Sequence, residues 1–220
     1  EDLAYVKDLL GSFTTSFSTS GADRSKNVNS GAKHVNGTVL YPGETFSMYE
    51  TVAPFTAENG YAMAGSYLNG EVVDSMGGGI CQVSTTLYNA VLRAELEVVE
   101  RSPHSMTVHY VELSEDAAIA GTYKDFKFKN STDYPIYIEG YTTSDKKITF
   151  NIYGKETRDS NRSISFESVL VNEVKPNTIL RDDAGQGLGY KNVSAGKTGY
   201  VAELYKIVKV NGVQTDRLKI

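Results

Sequence analysis

Gly77-Gly78-Gly79-Ile80-Cys81-Gln82-Val83-Ser84-Thr85-Thr86-Leu87-Tyr88-Asn89-Ala90-Val91-Leu92 is the stretch from which the fold is read. Three consecutive glycines allow backbone angles and close approaches that a side chain forbids, so they specify a tight turn. The residues after them have helical periodicity. Val83, Leu87, Ala90, Val91 and Ala94 fall at i, i+4, i+7, i+8 and i+11, a single apolar stripe that packs a helix into a core. The chain's one cysteine, Cys81, opens this helix. There, unpaired backbone N–H groups and the positive end of the helix dipole favour a thiolate. Two readings of Cys81 stand side by side: a nucleophile, or a small apolar residue packed in the core. The polar neighbours Gln82, Ser84 and Thr85 argue against a wholly apolar pocket around the sulfur.

Working outward, the 220 residues suffice for one large or two small domains with a proper core. Before the glycine turn, Leu3 to Leu10 reads as a short helix or lead-in ended by Gly11. Arg24 to Val35 reads as a helix closed by Asn36-Gly37. Thr38 to Tyr41 is strand-like. Gly43 to Met76 has no sustained period, and such a long irregular stretch commonly wraps over a site. Its Tyr49, Phe55, Tyr61 and Tyr67 either line a groove towards Cys81 or pack the loop onto the core.

After the central helix, Leu96 to Arg101 and Met106 to Leu113 read as strands joined by Ser102-Pro103-His104-Ser105. Phe126 and Phe128, Tyr134 to Tyr141 and Lys147 to Tyr153 continue an alternating pattern. A helix followed by an antiparallel sheet defines an α+β domain. Gly154 to Arg162 is polar and charged and reads as a boundary, giving units of residues 1–158 and 159–220. The second unit is all-β: Ser163 to Val171 alternates, and Asn211-Gly212 joins two strands by the strongest short hairpin signal. The glycine-rich stretch from Asp183 to Tyr190 is a loop, because no strand–turn–helix surrounds it.

Composition narrows the function. A net charge of −5 without a Lys/Arg cluster argues against a nucleic-acid surface or a polybasic membrane patch. No apolar run approaches the roughly 20 residues needed to span a bilayer. A start at Glu1-Asp2 reads as a fragment or processed product whose leader or anchor is missing. His34, His104 and His109 have no zinc spacing, so no metal and no cofactor are expected. The sequons at Asn36, Asn130 and Asn192 are taken as chance.

Pro42-Gly43-Glu44-Thr45-Phe46-Ser47, Ala57-Glu58-Asn59-Gly60-Tyr61, the block Gly77 to Leu92, Glu100-Arg101 to His104-Ser105, and Asp125-Phe126 with Phe128 and Asn130 together resemble the VanW family over roughly residues 9–155. The tail, with Gly196, Gly199, Tyr205 and Val210-Asn211-Gly212, resembles the five-glycine β-ribbon domains that follow VanW domains in Gram-positive surface proteins. The resemblance implies a place outside the membrane near the cell wall, with peptidoglycan or wall peptides as partners. It brings no settled reaction. The order of cysteine at a helix start, then strands with a histidine, is also similar to the transglutaminase-like arrangement of cysteine enzymes. On that reading Cys81 attacks, His104 or His109 is the base, and Asp116 or Asp125 orients it. Gly78, Gly79, Gln82, Ser84 and Tyr61 are the accompanying binding residues. The alternative is a non-catalytic peptidoglycan-binding or scaffold module linked to glycopeptide resistance.

Overall fold

A computed structural model of the chain describes residues 2–68, 71–182, 184–193 and 195–220. Asp183 of the glycine-rich loop, Ser194 of the third sequon and the side chain of Tyr67 lie outside what is described. After a 3₁₀ turn at Asp2–Tyr5, the chain forms β1 (Asp8–Ser16), α1 (Ala22–Val35), β2 (Thr38–Leu40), β3 (Thr45–Ser47), α2 (Met48–Val52), β4 (Met63–Leu68), β5 (Glu71–Met76), α3 (Ile80–Arg93) and β6 (Glu97–Glu100). It continues with β7 (Lys127–Lys129), β8 (Ile136–Thr142), β9 (Lys147–Gly154), β10 (Arg162–Val174), β11 (Gly199–Val210) and β12 (Val213–Lys219). The class is α+β, with antiparallel pairing in every sheet. Among the described residues no helix is long and apolar enough to cross a membrane.

The main sheet runs β1-β9-β8-β2. Alternation puts Ile148, Phe150 and Ile152 of β9 and Ile136 and Ile138 of β8 on one face, all fully buried. On that face lies α3, whose Val83, Leu87 and Val91 are equally buried. Each such side chain taken out of water contributes about 1.5–3 kcal/mol. Gly11 lets α3 approach β1 closely: a Cβ there would stand 2.4 Å from both Ala90 O and Ala94 N. The helix α1 packs on β8 and against α3, completing the core.

Three stretches depart from the sequence reading. Asp8–Ser16 is a strand, and the helix-like spacing from Leu3 to Leu10 is overridden by eight Cα partners on β9 between Asp8↔Gly154 and Ser16↔Lys147. Gly43 to Met76 is not irregular throughout. It contains β3, α2 and the β4–β5 hairpin, each of at most six residues and too short to register as a period. Met106 to Leu113 is no strand. Residues 101–119 form an irregular strap whose polar groups are met by side chains: Arg101 Nε donates to Asp116 O at 2.6 Å, Asn89 Nδ2 to Glu115 O at 2.7 Å, and Ala117 N to Thr85 Oγ1 at 3.0 Å.

A small sheet, β3-β7-β6, borders the strap, and β10-β11-β12 forms a separate ribbon. The β11–β12 turn is the two-residue loop Asn211-Gly212, with φ of 51° and 79°. The ribbon's base is docked on the rest. Leu204 belongs to the main core and Phe166 packs against it, while Ser168 Oγ donates to Leu113 O at 2.5 Å. Glu95, where α3 ends, gathers Arg158, Arg162 and Lys206, the last at 3.0 Å.

Candidate active site

The glycine turn aims α3. Gly77 and Gly79 adopt φ of 79° and 103°, in the left-handed region where a side chain is strained. A Cβ on Gly78 would lie 2.2 Å from Ala64 O, so β4 can pass directly over the turn only because the residue is glycine. Fully buried Asn27 of α1 clips the arrangement: its Nδ2 donates to Gly78 O at 2.9 Å and Ala62 O at 3.0 Å, and its Oδ1 accepts from Ala62 N at 2.7 Å. Cys81 is thereby fixed as the second residue of α3. Next to it, the buried amide of Gln82 donates to Thr15 Oγ1 at 3.0 Å and Ser16 O at 2.9 Å, tying the helix start to the end of β1.

Across from the helix start, the strap brings up its acid and histidine. Asp116 Oδ2 accepts from His104 N at 2.6 Å and lies 2.7 Å from His104 Nδ1. Asp116 Oδ1 accepts from Arg101 Nη2 at 2.9 Å. With Nδ1 engaged, Nε2 is the ring nitrogen left for Cys81, whose sulfur is near enough to the imidazole to favour its protonated form. In its thiol form Sγ donates to Ile119 O at 3.4 Å. Burial alone would lower the histidine's pKa. The Asp116 carboxylate and the Cys81 sulfur outweigh it and hold His104 up at about 9, so the ring is an imidazolium at neutral pH. Burial likewise works against ionised Asp116, and the His104 N–H groups with the His104 and Arg101 charges reverse that, holding the carboxyl below its ordinary range.

Half-buried Cys81 opens into a cleft of about 1420 Å³ lined by the glycine turn, β4, β5, the start of α1 and the strap. Tyr110 of the strap also lines it. Burial first, and the neighbouring Cys81 charge second, raise the Tyr110 hydroxyl's pKa, so it keeps its proton and remains a donor; it faces Thr85, one turn after Cys81. Nothing local in the sequence marks Tyr110, since its position depends on the strap's path.

The structure thus brings together Cys81, His104 and Asp116, with Gly78 and Gly79 as the turn beneath them. His109 lines the same cleft but is exposed. Asp125 sits elsewhere in the chain's architecture. It accepts from Ser47 Oγ at 2.5 Å and Tyr49 N at 2.8 Å, at the start of α2. Ser84 is fully buried in α3, and Tyr61 is buried with its hydroxyl donated to Val52 O at 2.9 Å. Among the described residues no group of three or more His, Cys, Asp or Glu is arranged to hold a metal ion.

Residues 23–153 match the family model described as VanW like protein. An uncharacterized protein, YoaR, of Bacillus subtilis (strain 168) is 42% identical over 139 residues, covering 63% of this chain and 46% of that protein. The vancomycin B-type resistance protein VanW of Enterococcus faecalis (strain ATCC 700802 / V583) is 31% identical over 134 residues, 58% of this chain and 48% of that protein. The chain therefore spans a little under half the length of these curated relatives. No solved structure gives a significant match.

Proposed function

The chain belongs to the VanW family, and from that premise we propose that it is a cysteine acyl-transfer or hydrolytic enzyme acting on cell-wall peptides outside the membrane. The observation that carries this reading is the Asp116–His104–Cys81 relay ending at a half-buried sulfur in an open cleft. A binding module could use the same cleft. It has no need of an acid that orients a histidine, which in turn faces a thiol. The similarity to the Enterococcus faecalis vancomycin resistance protein supports the wall as the setting.

The chemistry balances on these groups. The Cys81 thiolate attacks a peptide carbonyl, forming the C–S bond as the carbonyl pair moves onto oxygen. That oxyanion meets the Cys81 backbone N–H, one of the four that a helix start leaves without an intrahelical partner, and the Tyr110 hydroxyl. Collapse of the intermediate expels the amine, which takes the His104 proton. Water or a second amine then gives a proton to neutral His104 and attacks the thioester, and the sulfur leaves as thiolate.

The test is incubation of the protein with wall peptide fragments, followed by mass spectrometry. Cleaved or cross-linked peptides, and a Cys81 thioester trapped on brief exposure, are expected and should vanish in Cys81→Ala. Unaltered peptides that are nevertheless retained by the protein would favour the binding module.

A further inference from the structure

The start of α1 contributes a cation to the cleft that the relay does not use. Arg24 is half-buried, and its side chain lies over Gly79, two residues before Cys81: a Cβ on Gly79 would come within 2.8 Å of Arg24 Cγ and 3.5 Å of Cζ. One guanidinium nitrogen, Nη1, donates to Ser20 Oγ at 2.5 Å. Among the described residues no carboxylate stands within ion-pair distance of it, whereas Arg101 of the strap is paired with Asp116. The remaining charged groups around the cleft are differently placed. Asp23 and Asp74 are exposed to solvent, and Lys124 Nζ is turned to Pro103 O at 3.4 Å. A guanidinium is a planar fork of N–H donors matched to a carboxylate; half-buried Arg93 also lacks an anion, but its donors go to Asn89 and its plane covers Phe13, whereas among the described residues Arg24 has Ser20 Oγ and the rest of its fork is left to the cleft it lines.

We propose that Arg24 is the carboxylate anchor of the cleft, so that the molecule presented to Cys81 carries a free carboxylate close to the carbonyl under attack. This rests on the acyl-transfer reading of Cys81 and narrows its substrates to acidic or C-terminal peptide segments. The oxyanion of the tetrahedral intermediate and the fixed charge on the substrate are then handled by separate groups, Tyr110 with the helix start for the first and Arg24 for the second.

Iodoacetate and iodoacetamide provide the test, because they offer the same electrophilic carbon with and without a carboxylate. In both, the sulfur–carbon bond forms as the carbon–iodine bond breaks and iodide leaves with the electron pair. The ratio of the two Cys81 labelling rates is internal to each variant, so a change in folded fraction cancels. Arg24→Gln should lower the iodoacetate-to-iodoacetamide ratio about fivefold relative to the unsubstituted protein, as for one partly screened charge pair. Arg24→Lys, which keeps the charge, should recover the greater part. A ratio unchanged in Arg24→Gln overturns the anchor while leaving the nucleophile intact. A native Cys81 that neither reagent labels overturns the nucleophile, and the anchor with it.

Discussion

His104 carries its charge because of where Asp116 is held, and that has a consequence for stability. Its pKa in the folded chain, about 9, stands above the ordinary 6.5, so folding is favoured by the protonated ring. The stabilisation is complete below about pH 6.5 and disappears as pH rises through about 9. Comparing the native protein with His104→Gln by denaturant unfolding should therefore give a difference of up to about 3 kcal/mol at pH 6 that shrinks towards zero by pH 10. A difference that stays flat over that range would mean that His104 is not charged in the fold. Asp116→Asn removes the carboxylate charge that holds the ring protonated and should slow Cys81 alkylation near neutral pH by about a hundredfold. Asp125→Asn, which touches α2 instead, should leave that rate within about twofold while lowering stability.

At the scale of elements, the decisive join is the glycine turn under β4. Gly78→Ala forces backbone against backbone, so the turn or the β4–β5 hairpin must move. A loss of about 3 kcal/mol is expected, with slower Cys81 labelling even in the molecules that stay folded. Gly43→Ala, at an open turn where φ is 84° and nothing stands within 4 Å of an added Cβ, should cost only about 1 kcal/mol and leave labelling untouched; equal effects of the two would show that the close approach at Gly78 is unimportant. Elements with a regular period were legible in the chain: α3 from its apolar stripe, β8 and β9 from Ile136 to Ile152, and the last hairpin from Asn211-Gly212. The strap was not, because its backbone is satisfied in part by Thr85 and Asn89 of α3, and such non-local bonds leave no mark in its own residues. For the same reason the spacing could not choose between Asp116 and Asp125. The choice depends on Ser47 and Tyr49, which hold Asp125 from nearly eighty positions earlier in the chain.

For the molecule as a whole, the question is how far the ribbon of β10, β11 and β12 matters to the rest. Among the described residues Leu204 is its one buried member of the main core, and a second tie is at Glu95. Burial opposes the Glu95 charge, yet hydrogen bonds and charge from Arg162 and Lys206 hold its pKa down at about 2, so this junction weakens only in strong acid. A chain ended at Asp159 loses both cations but keeps Arg158, which donates to Leu10 O at 2.8 Å and Arg93 O at 2.9 Å. It should still unfold cooperatively, at a melting temperature lower by several degrees. A fragment without regular secondary structure by circular dichroism would make the ribbon an obligate part of one folding unit.

The pairing of β1 with β9 sets an order of events when the chain is made. Residues 8–16 have no strand partner until residues 147–154 exist, a closure across most of the first unit and slow by its nature. Thr15 and Ser16, at the end of β1, receive the amide of Gln82 beside the cysteine. A nascent or incompletely threaded chain therefore holds its thiol on an unsupported helix start, and the surroundings of Cys81 are completed only once the last strand of the main sheet has been delivered.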